Sequence, residues 1–530
     1  EISTRDWSSD VCSSDLKRGI IRADRGYLRK EAVDDRVFSA FVEHAGNVIY
    51  NGIYQPEHPL ANADGFREDV IQLVKELHLA GIRYPGGNFI CSYRWEDTVG
   101  PVEERPVRAD LAWRQREPNI VGLAEFEKWV KAVKSELIMA VNLSTRGAVD
   151  AANLVEYCNH PGGTYYSELR KTHGHEVPYG VHVWCVGNEV DGPWNIGQKR
   201  AEEYGWDAAE AAKAMRRIDP KIELVAVGSS GTQLDTYLEW DRVVLERVYD
   251  SCDYISLHRY MGMPAIDELS TYDRRDTGDY LELASRLERN IQDVIAACDY
   301  VKGRKHSDKT MYISLDEYNA VDIGPEADDF LKECDPWEVG PCTRRTGISM
   351  RTTLLFGLGM LAILRHTDRI RIACQSILIN GDGMVMCSPD EDAWVNGSWH
   401  IFRLCSLYGR GKVLETVQES DRYDTATCKD VAALDSVCIY HEDTKELDIF
   451  AVNKTEEDME FTVQAAGFQQ LQALEHLTVT AEHLSDRNSA KEKNKITTVS
   501  TQDITCEAGQ IQCILKPYSW NVLRVKERIE

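Results

Sequence analysis

The chain has 530 residues, 43% of them apolar and 28% charged, and its 61 Lys and Arg against 87 Asp and Glu leave a net charge of −26. That length accommodates one large domain and a smaller one, while so acidic a surface repels nucleic-acid phosphates and anionic lipid and suits a neutral ligand. No uninterrupted apolar run approaches the roughly 18 residues of a membrane span, and fifteen scattered cysteines without a CxxC pair argue against a disulfide scaffold and for a reducing compartment.

Residues 1–16, EISTRDWSSDVCSSDL, lack the basic region, apolar stretch and small-residue cleavage site of a signal peptide. They share neither the periodicity nor the vocabulary of the remaining chain and read as a foreign leader, so the protein is expected to work in the cytoplasm. Residues 17–34 are read as a strand that joins a C-terminal sandwich. From 35 to 411, short apolar runs alternate with longer helical segments. The runs are VFSAFVEH (37–44), IRYPGG (82–87), LIMAVNL (137–143), VHVWCVGNE (181–189), ELVAVGSS (223–230), YISLHRY (254–260), MYISLDEYN (311–319) and IRIACQSILIN (370–380). Between them REDVIQLVKELHLAG (67–81) and LELASRLERNIQDVIAAC (281–298) carry apolar residues at helical spacing. LLFGLGMLAIL (354–364) is too short to span a membrane and reads as a buried helix. Eight near-continuous apolar strands alternating with helices predict an α/β fold, a (β/α)8 TIM barrel. The competing doubly wound sheet lacks support, because no glycine-rich dinucleotide fingerprint follows the first run. Beyond the YGRG turn at 408–411, short β-like runs between polar turns predict a C-terminal antiparallel β-sandwich over 412–530. SDRNSAKEKNK (485–495) is expected to be a solvated loop.

Catalytic groups of such a barrel stand at the C-terminal ends of its strands. The first run ends in Glu43-His44, the second in Arg83-Tyr84-Pro85-Gly86-Gly87-Asn88 and the fourth in Asn188-Glu189. The sixth ends in His258-Arg259-Tyr260 and the seventh in Asp316-Glu317-Tyr318-Asn319. A carboxylate closing an apolar strand is costly unless paired. One alone could be a structural ion pair, but three at one rim beside tyrosine, histidine and asparagine argue for a reaction centre. Two facing carboxyl groups are what glycoside hydrolysis requires, one protonated for the leaving oxygen and one ionised. HGH at 173–175 has metal-like spacing but no third ligand, and reads as a polar loop. Cys91 reads as a buried thiol and Asp191 as a loop anchor. No metal and no organic cofactor is expected.

WCVGNEVDGPWNIG (184–197) resembles the acid/base segment of glycoside hydrolase family 51, the α-L-arabinofuranosidases of clan A. The resemblance extends through FVEHAGNVIYNGIY (41–54), RYPGGNFICSYRWEDTVGPVEERP (83–106), AVNLSTRG (140–147), EYCNHPGGTYYSELR (156–170), ISLHRY and LDEYN. It covers most of 35–411 and weakens in the sandwich. It implies a retaining, exo-acting enzyme that takes arabinofuranosyl groups from arabinan- or arabinoxylan-derived oligosaccharides. Glu189 would be the general acid/base and Glu317 the nucleophile. Asn188 would bond the sugar 2-hydroxyl, Tyr260 would hold the nucleophile's oxygen with His258 nearby, and Glu43 and Asn88 would grip ring hydroxyls. Trp95 resembles an aromatic wall of the pocket, with Trp194 a second. Arg83 would support the charge of Glu317. The family also implies a homo-oligomer, a hexamer. Three departures bear on substrate preference more than on reaction type: Tyr318 stands where the family usually has tryptophan, Ile377 where a glutamine is expected, with Gln375 two residues earlier, and the 381–400 loop is unlike the usual sequence.

The rival enzyme reading is another clan A activity, an endo-β-glucanase or xylanase, which would need a long open cleft. A catalytically dead carbohydrate-binding protein is a third reading, disfavoured by the presence of both carboxylates.

Overall fold

The computed structural model describes residues 16–263, 276–321, 337–342 and 348–528. All but the last residue of the segment read as a leader lies outside them.

The eight apolar runs supply the eight parallel strands of a closed barrel: Ser39–Phe41, Gly81–Tyr84, Glu136–Ala140, Val183–Cys185, Glu223–Ala226, Tyr254–Met261, Tyr312–Ala320 and Ile370–Gln375. The last pairs back onto the first through Cys374 with Ser39. Strands covered on both faces have no solvent side to give to alternating polar residues, which is why they read as unbroken apolar runs. The surrounding helices are amphipathic in the ordinary way. Glu68–Lys75 buries Val70, Ile71 and Val74 and carries acidic residues in its first turn and Lys75 in its last, matching the helix dipole.

The helix Met350–Arg365 is the exception, with fourteen of its sixteen residues buried. It is apolar all round because it is enclosed all round. On one side Phe356 stacks on Tyr318 of the barrel, with ring centroids 6.1 Å apart. On the other, a Cβ at Gly357 would stand 2.5 Å from the Trp520 ring, so glycine lets the helix lie directly against the second domain.

That domain is a mostly antiparallel sheet of ten strands. Lys17–Ala32 lies inside it, antiparallel to Lys412–Ser420 and parallel to Met459–Ala466. Strand alternation divides its side chains between two cores. Ile21, Cys438, Phe461, Ile511 and Leu523 pack within the domain, whereas Ile439, Phe450, Trp520 and Val522 join the core of the barrel. The 485–495 segment differs from expectation. It is a loop, but a docked one: Asn488 is buried and donates to the carbonyls of Val395 and Ile496, and Met350 N donates to Asp486 O. Asparagine supplies the hydrogen bonds that buried loop backbone would otherwise lack.

Candidate active site

At the C-terminal end of the barrel is a cavity of about 300 Å³, and Glu43, Asn88, Glu189, Tyr260 and Glu317 are in its wall. Five strand-end residues from five different strands or the loops after them thus meet in one place.

Glu317, in the seventh strand, has both oxygens occupied. Arg83 Nη1 donates to Oε1 at 3.0 Å and the Tyr260 hydroxyl donates to Oε2 at 2.6 Å. Arg83 is fully buried, and its other arm donates to Asn188 Oδ1 at 2.7 Å. One planar guanidinium therefore sets the positions of the carboxylate and the asparagine together. Glycine makes this closeness possible: a Cβ on Gly87 would fall 2.9 Å from Glu317 Oε1, and one on Gly86 2.7 Å from Glu43 Cγ.

Glu189 follows the fourth strand in a left-handed backbone conformation, φ +43°. Such a conformation costs free energy and persists where surrounding contacts enforce it. Here Gly192 N and Asn195 Nδ2 both donate to the Glu189 carbonyl. Its side chain accepts from Trp194 Nε1 at 2.7 Å and meets His258 Nδ1 at 3.0 Å. His258 Nδ1 is also 3.7 Å from Glu317 Oε2. Burial opposes a charged His258, but the flanking Glu317 and Glu189 outweigh it and raise the imidazolium to about 9. One oxygen from each glutamate and one His258 nitrogen all lie within 4.8 Å of one another. Among the described residues this is the group of three donors that could hold a metal ion; its pairing of two carboxylates across a cavity also meets the needs of glycosyl transfer without one.

Glu43 lies across the cavity. Burial, and then the nearby charge of Glu317, push its carboxyl up to about 8, although Phe89 N and Trp113 Nε1 donate to its Oε1 at 2.8 and 2.9 Å. Trp113 is carried on a loop that is latched to the end of the first strand. Asp110 accepts from Trp113 N, Gln115 Nε2 donates to His44 O, and the buried His44 and Glu117 side chains meet at 2.8 Å.

Two models of α-L-arabinofuranosidase domains match the sequence, the domain 1 model over residues 73–277 and the C-terminal domain model over 316–519. The chain is 43% identical to the intracellular exo-α-(1→5)-L-arabinofuranosidase 1 of Bacillus subtilis, across 97% of this chain and all of that protein. A relative of Acetivibrio thermocellus named as an intracellular exo-α-(1→5)-L-arabinofuranosidase is equally similar, at 43% over 96% of this chain and the whole of that one. The solved family 51 α-L-arabinofuranosidase from Bifidobacterium longum superimposes with a TM-score of 0.89 at 31% identity, covering 96% of this chain and 99% of that one. The chain belongs to the family 51 α-L-arabinofuranosidases.

For this family 51 glycoside hydrolase, several expectations from sequence need correction. Trp95 does not form the pocket wall: it is 2% exposed and packs against Tyr157 and Tyr166, at 5.4 and 5.2 Å. The short helical turn Trp95–Thr98 points its indole into the core rather than toward the cavity. The aromatic wall is formed by Trp113 and Trp194. Tyr318 does not alter the pocket either. Adjacent residues of a strand face opposite ways, and Tyr318 packs outward on Phe356 with its hydroxyl at Met360 Sδ. Ile377 does line the cavity, beside Ser376 and Asp382, whereas Gln375 is buried and donates to Ser376 O. Asn188 and His258 stand directly behind the wall, holding Arg83 and Glu189 respectively. Cys91 is a buried thiol near Ser144 Oγ, and His173 of the HGH sequence bonds the Tyr157 hydroxyl. Asp191 accepts from Ser230 N at 2.9 Å and anchors its loop. Trp113, Ser376 and Asp382 were missed because none closes an apolar run.

Proposed function

We propose that the protein is an exo-acting α-L-arabinofuranosidase that hydrolyses terminal arabinofuranosyl linkages with retention of configuration, Glu317 being the nucleophile and Glu189 the general acid/base. The observation that carries this reading is the approach of the two carboxylates, with an oxygen of each inside the same 4.8 Å group. Retaining glycosidases set their carboxyl groups about 5–5.5 Å apart, and inverting ones leave about 6.5–9.5 Å for a water.

In the first step a Glu317 oxygen attacks the anomeric carbon as the bond to the leaving oxygen breaks and Glu189 gives that oxygen its proton. In the second, Glu189 takes a proton from water, the water oxygen attacks the anomeric carbon, and the bond to Glu317 breaks. Arg83 and Tyr260 hold the carboxylate of Glu317 in position throughout. The Glu43 carboxyl and Asn88 present hydrogen-bonding groups for the ring hydroxyls, with Asn188 behind them fixing Arg83, so a sugar lacking one would leave a buried polar group unpaired. A confined cavity, with Trp113 and Trp194 as walls, supports a single terminal sugar over an extended endo-acting cleft. The substrates in this reading are oligosaccharides derived from arabinan or arabinoxylan and the site of action is the cytoplasm; the relatives' names, intracellular exo-α-(1→5)-L-arabinofuranosidases, support action on arabinofuranosyl groups inside the cell.

Hydrolysis of aryl α-L-arabinofuranoside, β-xyloside and β-glucoside by the folded protein tests this reading. Preference for the arabinofuranoside is expected; failure to cleave it would sink the substrate assignment. Glu189→Ala should spare activated aryl glycosides far more than poor leaving groups, and added azide should partly restore it. Equal losses on both would remove Glu189 from its role.

A further inference from the structure

Tyr260 has one hydroxyl proton and two oxygens within reach of it. Glu317 Oε2 is 2.6 Å away and Ser376 Oγ is 2.7 Å away. An ionised carboxylate can only accept. With Glu317 ionised for attack, which rests on the proposed nucleophile assignment, the Tyr260 proton points to Glu317. The Ser376 hydroxyl must then donate to the Tyr260 oxygen. Ser376 Oγ has no other hydrogen-bond partner among the described residues, so that donor is free for this task. Its backbone is also tied to the nucleophile's own strand, since Ser376 N donates to Tyr318 O at 3.0 Å.

We propose that Ser376 is a positioning residue for the nucleophile, acting through Tyr260 by occupying its oxygen and directing its single proton onto Glu317. Hydrogen bonds in such a chain polarise one another, so a Tyr260 hydroxyl that accepts from Ser376 donates more strongly to Glu317. The need is greatest as Glu317 gives up its charge on bonding to the sugar. At that moment the pull of the carboxylate on Tyr260 weakens, and an untethered tyrosine could turn its proton to a sugar hydroxyl instead. Because Ser376 also lines the cavity, direct contact with substrate is the competing explanation.

A double-mutant cycle separates the two. On an aryl α-L-arabinofuranoside, Ser376→Ala should lower kcat/KM about 3- to 10-fold, the size of one net hydrogen bond, and Ser376→Thr, which keeps the hydroxyl, should recover most of it. In a Tyr260→Phe background, which has no phenolic oxygen to receive the bond, Ser376→Ala should have almost no further effect. An unchanged kcat/KM in Ser376→Ala, or an equal loss in both backgrounds, would overturn the proposal. A covalently trapped 2-deoxy-2-fluoro-arabinofuranosyl group, located by peptide mass in the wild-type protein, keeps the underlying assignment separate. Labelling on Glu317 without coupling rejects the role of Ser376 alone, whereas labelling elsewhere rejects the nucleophile.

Discussion

Replacing Glu43 with glutamine should make the protein more stable, and increasingly so as the pH rises. The wild-type carboxyl ionises near 8 in the folded protein because it is buried and faces Glu317, against an ordinary 4.5. A folded value raised above the unfolded one means that the neutral carboxyl's contribution is fully present below about 4.5. It is lost progressively as the pH climbs to about 8, where the fold must hold a buried charge. At 1.36 kcal/mol per pH unit the gap corresponds to about 5 kcal/mol. Glutamine has the same shape, keeps an acceptor for Phe89 N and Trp113 Nε1, and never ionises. With an unfolding entropy of about 2.1 cal/mol/K per residue, some 1.1 kcal/mol/K for the chain, the expected gain in Tm is about 4 °C at pH 8. Differential scanning calorimetry of both proteins from pH 4.5 to 9 measures it. Near pH 4.5 the two should melt together. A Tm difference that is flat across this range, or that favours wild type at pH 8, would refute the reasoning.

Three other perturbations probe the same cavity. His258 is held charged up to about 9 against an ordinary 6.5, so its stabilising contribution is complete below about 6.5 and lost as the pH rises through 9. His258→Gln should therefore lower Tm by about 3 °C more at pH 6 than at pH 10, from about 3 kcal/mol; relative to wild type the variant gains with rising pH, as Glu43→Gln does, but from a deficit rather than from parity. Gly87→Ala would push a methyl group within 2.9 Å of Glu317 Oε1; kcat should fall about 100-fold, as for a misplacement of about 1 Å, while circular dichroism stays that of wild type. Trp113→Phe removes an indole donor from Glu43 and should lower kcat/KM about 10-fold on aryl arabinofuranosides.

The barrel was legible because its strands obey one strong rule. Strands buried on both faces read as continuous apolar runs, and all eight did. Glu43, Glu189 and Glu317 were legible for the same reason, being charges that interrupt apolar runs where the chain leaves the barrel. Tyr318 was misplaced although the strand alternation that turns it away from Glu317 was there to be read. Trp95 and Trp113 were beyond that logic. Both sit in the long excursion after the second strand, where the direction of an indole depends on contacts distant in sequence. Trp113 faces the cavity only because Gln115 and Glu117 reach His44, some seventy residues away. The docking of the 485–495 segment likewise depends on Asn488 finding the carbonyl of Val395, beyond the last barrel strand and 93 residues away, a pairing that local composition does not disclose.

Double displacement at Glu317 is tested most directly by the stereochemistry of the first product. Proton NMR of the earliest product formed from an aryl α-L-arabinofuranoside in the presence of methanol should show methyl α-L-arabinofuranoside, the configuration of the substrate. Methyl β-L-arabinofuranoside as the first product would mean a single displacement, and would contradict the roles given to both glutamates.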